Sequence, residues 1–96
     1  PSGLFDNNTL VTNFSYTFSE CTGLTGIPSG LFDNNSLVTD FRSTFSGCTG
    51  ITSTVPELWV NTAIKFPGLV VPGMVSSCFF NVTSASNYGS IPADWK

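Results

Sequence analysis

Apolar residues recur along this chain in a pattern that repeats every 27 positions. Residues 1–27 and 28–54 align without a gap and are identical at 19 of 27 positions, including the run PSGLFDNN that opens each copy. The apolar positions of the first copy are Leu4, Phe5, Leu10, Val11, Phe14, Phe18, Cys21, Leu24 and Ile27. A repeat of this length is typical of repeat architectures, in which a unit buries its apolar side chains only by stacking on its neighbours.

The pattern within one copy predicts short elements. Phe14 and Phe18 are four residues apart, which places both rings on one side of a short helical or 3₁₀ turn. Segment 24–27 is compatible with a strand, because the proline that follows favours extended backbone at the residue before it. The Phe-Asp-Asn-Asn runs predict turns. Stacking then pairs the equivalent rings: Phe5 with Phe32, Phe14 with Phe41, and Phe18 with Phe45.

The repeat becomes irregular after residue 54. Prolines open the successive units at positions 1, 28, 56 and 92, which indicates an insertion in the last interval near 66–73. Residues 79–81 take the place of the Phe-Ser-Gly run of the second copy, and Val82 stands where a cysteine belongs. The sequence predicts a single domain over 1–96, with repeats at 1–27 and 28–54, an irregular unit at 55–90 and a cap at 91–96. We expect it to be a fragment of a longer protein.

Three segments carry a resemblance to a known family. Residues 17–28 and 44–56 resemble the F-S-G-C-T-x-L-T-x-I-P core of BspA-like leucine-rich repeats, and residues 10–15 resemble the V-T-N-F/M-S half of the repeat in bacterial surface proteins. The resemblance implies a secreted or cell-surface protein, mostly of bacteria, with adhesion or ligand binding as its usual role. Together with the repeat it predicts a leucine-rich-repeat-like β-solenoid of three to four coils, with short strands, short helical or 3₁₀ turns and a C-terminal cap.

Charge and composition exclude several functions. Charged residues make up only 9% of the chain, and the net charge is -3. The three cations, Arg42, Lys65 and Lys96, are far apart and form no basic stripe, which argues against nucleic-acid binding. A membrane span needs about 18 uninterrupted apolar residues, and no run in this chain reaches that length, so no membrane insertion is expected. The absence of His excludes Ser-His-Asp and Cys-His catalysis and His-based metal sites.

The aspartates and cysteines predict structural roles. Asp6 and Asp33 have the residue type of a glycosidase carboxylate pair, but a repeated Asp-Asn-Asn turn favours capping of its own backbone. These turns also lack the bidentate Glu and the ligand number of a Ca²⁺ loop. Cys21 and Cys48 are expected to be buried and reduced, although stacking brings them within reach of a disulfide. Cys78 has no repeat partner and is expected to react most readily. We expect no enzyme activity, no catalytic residues, no metal and no cofactor.

The positions at which the copies differ indicate where a ligand would bind. The changes that alter chemistry are Ser15/Arg42, Tyr16/Ser43 and Glu20/Gly47. Because Tyr and Arg often anchor interfaces, Tyr16, Glu20 and Arg42 are the predicted ligand-binding residues. Thr25 and Thr52, on the strand-bearing face, are the alternative binding residues.

The leading hypothesis is a non-catalytic recognition or adhesion module, secreted or at the cell surface. It would present a repeat surface to a protein or glycan ligand on another cell or matrix. The second hypothesis is a structural spacer or self-assembling solenoid stalk that adds copies head to tail. A glycan-active enzyme is a distant third.

Overall fold

Regular secondary structure is sparse in this chain. The structure, a computed structural model, describes residues 3–71 and 73–96. Its helical elements are α1 (Thr62–Lys65) and three 3₁₀ helices at Gly73–Val75, Tyr88–Ser90 and Ala93–Trp95. The described residues contain no sheet, and an isolated parallel bridge joins Asn13 to Asp40.

The prediction of a leucine-rich-repeat-like β-solenoid is therefore wrong. Segment 24–27 does not form a strand, and the residues between Phe14 and Phe18 form turns rather than a helix. The chain is a small globule with principal extents of 30 × 27 × 19 Å and a Cα radius of gyration of 12.1 Å.

The backbone of the repeated segment bends at every second residue, and this explains the missing strands. The N–H groups of Thr17, Ser19 and Cys21 each donate to the carbonyl three residues earlier, over 3.1–3.2 Å. Tyr16 and Glu20, with φ of 60° and 63°, are the third residues of two of these turns. Turns with positive φ at the third residue reverse the chain direction. Repeated reversal leaves no extended run long enough for a β-ladder in this segment.

The N–H groups that do not close turns join the copies to one another. Alternate N–H groups in 14–20 donate to alternate carbonyl oxygens in 40–46, over 2.6–3.0 Å. The second copy repeats this arrangement, because alternate N–H groups in 41–47 donate to carbonyl oxygens in 74–80, over 2.8–3.1 Å. Three equivalent segments therefore lie side by side.

The turn segment spans residues 14–21 in the first copy and 41–48 in the second, and residues 75–82 form its third copy. Ser77 and Asn81 have positive φ of 57° and 64°, at the positions of Tyr16 and Glu20 in the first copy. The N–H of Val82 closes the last turn on the carbonyl of residue 79, as the cysteine N–H does in the earlier copies. This confirms the prediction that 79–81 replaces the Phe-Ser-Gly run. Helix α1 and the predicted insertion fall between the second and third copies.

Stacked phenylalanine rings form much of the core. Ring centroids are 5.9 Å apart for Phe5 and Phe32, 6.3 Å for Phe14 and Phe41, and 5.3 Å for Phe18 and Phe45, with all three pairs within 15° of parallel. The three predicted pairs are therefore confirmed. Such pairs contribute about 0.5–1.5 kcal/mol each beyond the burial of their area.

The C-terminal segment covers the third copy. Trp95 is 2% exposed, and its carbonyl accepts the N–H of Phe79 at 2.8 Å. The two rings lie 6.4 Å apart. Nearby, Nζ of Lys96 lies 4.6 Å from the ring centroid of Tyr88. The edge of the stack beyond the third copy is therefore closed by the chain itself.

Candidate functional site

Four positions of each turn segment point away from the aromatic core, and together they form a surface that we name the outer face. All of its residues are exposed or half-buried. The outer face consists of Ser15, Tyr16, Ser19, Glu20, Arg42, Ser43, Ser46, Gly47, Ser76, Ser77, Phe80 and Asn81. Six of the twelve are therefore serines, and the distinctive side chains are few.

Tyr16 and Arg42 are neighbours on the outer face. The N–H of Tyr16 donates to the carbonyl of Arg42 at 3.0 Å, which joins the first copy to the second at this point. Tyr16 is 65% exposed, and the side chain of Arg42 is 46% exposed. The structure thus brings two of the predicted ligand-binding residues together.

Asp40 fixes the guanidinium of Arg42. Nη2 of Arg42 donates to Oδ2 of Asp40 at 2.8 Å, and Nε lies 3.1 and 3.2 Å from the two carboxylate oxygens. Oδ1 of Asp40 also accepts the backbone N–H of Arg42 at 2.9 Å. The side-chain hydrogen bonds hold the pKa of Asp40 below its ordinary value and raise the pKa of Arg42. A bidentate guanidinium is held in one orientation while its remaining N–H groups stay available to a ligand.

Sequence reasoning missed Asp40, although the repeat held a signal for it. Asn13 in the first copy accepts the N–H of Ser15 through Oδ1 at 2.8 Å, which is the same local turn. In the second copy Asp40 and Arg42 replace these two residues together. A simultaneous change to opposite charges two residues apart indicates an ion pair.

Glu20 and Phe80 complete the outer face. The N–H of Glu20 donates to the carbonyl of Ser46 at 2.6 Å. Its Oε1 lies 3.3 Å from where a Cβ on Gly47 would be, so the carboxylate lies over the glycine. Phe80 is 50% exposed, and its carbonyl accepts the N–H of Gly47 at 2.8 Å. Sequence reasoning missed Phe80 because the first two copies both have serine at its position.

Thr25 and Thr52, the alternative binding residues, form a separate pair. The N–H of Thr52 donates to the carbonyl of Thr25 at 3.2 Å, and both residues are exposed. They lie on the segment that follows the turns, which is not a strand. They therefore offer a second exposed surface, but not the sheet face on which the sequence placed them.

The repeated aspartates lie in turns. The N–H of Asp33 donates to the carbonyl of Gly30 at 3.1 Å, and its Oδ2 lies 2.9 Å from where a Cβ on that glycine would be. Asp6 repeats the arrangement with Gly3. Each carboxylate thus folds back on its own turn, over the glycine three residues earlier. Across residues 3–71 and 73–96, no group of three or more His, Cys, Asp or Glu side chains is placed to hold a metal ion.

The cysteines depart from the expectation in two ways. Cys21 is exposed, although it was expected to be buried. Cys78, expected to be the most reactive, is fully buried, and burial raises the pKa of its thiol. It occupies the position of Thr44, which is buried in the second copy. Cys48 is buried as expected; its Sγ donates to the carbonyl of Phe18 at 2.9 Å, and burial raises its pKa. All three thiols are free.

No protein-family model, curated protein or solved structure matches this chain. The resemblance of residues 17–28 and 44–56 to BspA-like repeats therefore stays a prediction. In the part of the chain that the structure describes, no helix has the length and apolarity needed to cross a membrane.

Proposed function

We propose that this chain is a non-catalytic recognition module whose outer face binds a protein or glycan ligand outside the cell or at its surface. The observation that carries the proposal is the grouping of Tyr16, Glu20, Arg42 and Phe80 on one face that is otherwise mostly serine. Aromatic and Arg side chains supply most of the binding energy at interfaces. On a chain with only 9% charged residues, this grouping places a guanidinium and a carboxylate on one face with two exposed aromatic rings.

The rigidity of the outer face also supports recognition. Backbone hydrogen bonds to a neighbouring copy hold the main chain at Tyr16 and Glu20, and the ion pair with Asp40 holds the side chain of Arg42. Ordering a flexible side chain costs about 0.5–1.5 kcal/mol on binding. The guanidinium of Arg42 is already held in place by Asp40 and avoids part of that cost.

A spacer that adds whole chains head to tail has less support. Such growth requires an open edge at both ends of each chain. Trp95 already occupies the backbone donor of Phe79 in the third copy. The extracellular location rests on the resemblance to bacterial surface repeats and on the low content of charged residues.

Binding to immobilised glycans and extracellular-matrix proteins tests the proposal. For any probe that the chain binds, we expect Tyr16→Ala, Arg42→Ala and Phe80→Ala each to weaken binding by about tenfold or more, which corresponds to ~1.4 kcal/mol. Thr25→Ala and Thr52→Ala are matched controls, because they truncate exposed residues away from the outer face. Urea midpoints verify that each variant is folded.

Two results would contradict the proposal. One is unchanged binding of the outer-face variants together with loss of binding in the threonine variants. The other is a chain that binds none of the immobilised glycans or matrix proteins.

A further inference from the structure

Asn35 and Asn8 are equivalent residues with different surroundings. Asn35 is fully buried, and its Nδ2 donates to the carbonyls of Phe5 at 3.2 Å and Asn8 at 2.9 Å. Asn8 is exposed. The equivalent of the residue that anchors the second copy to the first is therefore exposed in the first copy.

Two further side chains of the second copy are buried against the first copy, while their equivalents in the first copy are exposed. Oγ1 of Thr44 lies 3.0 Å from the carbonyl of Phe14, and Sγ of Cys48 lies 2.9 Å from the carbonyl of Phe18. Both side chains are fully buried between the copies. Their exposed equivalents in the first copy are Thr17 and Cys21.

A glycine marks how closely the copies approach. A Cβ on Gly50 would collide with the carbonyl oxygen of Thr22 and would lie 3.1 Å from that of Leu24. The equivalent Gly23 has no atom within 4 Å of its Cβ position. The first copy thus has a glycine, Gly23, at the position where the second copy needs one for close contact with its neighbour, but the space beside Gly23 is open.

The backbone is complementary as well. In the second copy, the carbonyls of residues 40, 42, 44 and 46 accept N–H groups from the first copy. The equivalent carbonyls at 13, 15, 17 and 19 accept no backbone hydrogen bond from the described residues. Apolar residues differ in the same direction: Leu4 is 46% exposed, whereas Leu31 is 3% exposed.

We infer that this open edge, formed by Asn8, Thr17, Cys21, Gly23 and the carbonyls of residues 13, 15, 17 and 19, binds one further 27-residue unit of the same sequence. The argument is continuity with an existing contact, because the equivalent residues of the second copy already bind such a unit. The occupant donates N–H groups to the carbonyls and accepts hydrogen bonds from Asn8 and Cys21, whereas Thr17, whose hydroxyl donates to the carbonyl of Phe14 at 2.7 Å, packs against it. A whole second chain is not the occupant, since Trp95 covers its third copy.

An extended chain tests the inference. One more unit with the sequence of residues 1–27, its cysteine replaced by serine, is placed directly before Pro1. We expect maleimide labelling of Cys21 to slow by about 100-fold or more in the folded extended chain, because the thiol then reacts only after local opening. Labelling of Cys48 and Cys78 stays slow in both chains. A unit of the same composition in shuffled order is the control and leaves Cys21 fast.

Asn8→Ala gives a second readout. We expect Asn8→Ala to leave the urea midpoint of the 96-residue chain unchanged and to lower the midpoint of the extended chain. Asn35→Ala should lower the midpoint of both chains, because Asn35 is buried in both. A second extended chain, built with the sequence of residues 28–54, provides for the case in which the first extension does not fold. If Cys21 labels at the original rate in both extended chains and Asn8→Ala is silent in both, the open edge binds no such unit and the inference is overturned.

Discussion

The first and second copies of the repeat share 19 of 27 residues, yet they are buried to very different extents. Leu31 is 3% exposed and its equivalent Leu4 is 46% exposed. Cys48 is fully buried whereas Cys21 is exposed. The difference shows that local sequence determines the turns of each copy, while a neighbouring copy determines which side chains the turns bury.

The largest expected effect compares two phenylalanines. Phe45 is 1% exposed and its ring is stacked between Phe18 at 5.3 Å and Phe79 at 5.6 Å, whereas Phe18 is half-buried. We expect Phe45→Ala to lower the free energy of unfolding by about 3–5 kcal/mol and Phe18→Ala by less than half as much. Urea denaturation followed by fluorescence measures both, and Phe45→Leu replaces Phe45→Ala if that variant does not fold. Equal losses would show that the neighbouring copy does not determine burial.

A smaller effect compares two glycines. A Cβ on Gly50 would collide with Thr22, so Gly50→Ala should destabilise the chain by about 1–3 kcal/mol. Gly23→Ala meets open space and should change stability by less than about 0.5 kcal/mol or raise it slightly, because alanine restricts the unfolded chain. The same denaturation series decides between them. A cost at Gly23 as large as that at Gly50 would contradict the close approach of the copies.

Alkaline pH should lower the free energy of unfolding through the buried thiol of Cys78. Burial raises its pKa above the unfolded value of 9.0, so its contribution to stability is present below pH 9 and is lost as the pH rises further. The loss amounts to about 1.4 kcal/mol per pH unit for one thiol. Unfolding of the parent and of Cys78→Ala between pH 8 and pH 10.5 measures the difference in slope, and Cys21→Ala, which removes an exposed thiol, is the matched control. Identical slopes for the parent and Cys78→Ala would contradict the burial of this thiol.

The smallest effect concerns the ion pair that is present only in the second copy. Asp40→Asn gives this position the residue of the first copy and keeps an acceptor for the backbone N–H of Arg42. Because Arg42 is largely exposed, we expect a loss of about 0–1 kcal/mol. The pKa of Asp40 is lowered from 3.8, so the pair stabilises the chain above that pH and its contribution disappears as the pH falls through the folded-state value. A difference between variant and parent that persists after the carboxyl is protonated would exclude the ion pair as its source.

The repeat, the aromatic pairs and the third copy could be predicted from the sequence, since each depends on residue identity at a fixed spacing. The strands could not, because Tyr16 and Glu20 adopt positive φ without being glycine. A signal lay in the equivalents of Glu20. Gly47 and Asn81 stand at its position, and both residue types tolerate left-handed backbone. A position that holds glycine or asparagine in two copies of three predicts a turn in all of them.

The candidate site was predictable only in part. Comparing the first two copies singled out Tyr16 and Arg42, which the structure places side by side. The same comparison could not find Phe80, because the first two copies both have serine at this position and only the third copy has an aromatic residue. It also treated Cys78 as unpaired and reactive, whereas the structure places this residue at the buried threonine position of the repeat. Whether these side chains bind a ligand stays a prediction.

Residue-resolved thiol labelling of the native chain tests most directly whether neighbouring copies determine burial. The three cysteines are labelled with a maleimide at pH 7.5, and the modified sites are followed by mass spectrometry over time, with the urea-unfolded chain as the reference. The account predicts that Cys21 reacts at close to its unfolded rate, while Cys48 and Cys78 are slower by about 100-fold or more. Equal rates for Cys21 and Cys48, or fastest labelling at Cys78, would contradict it.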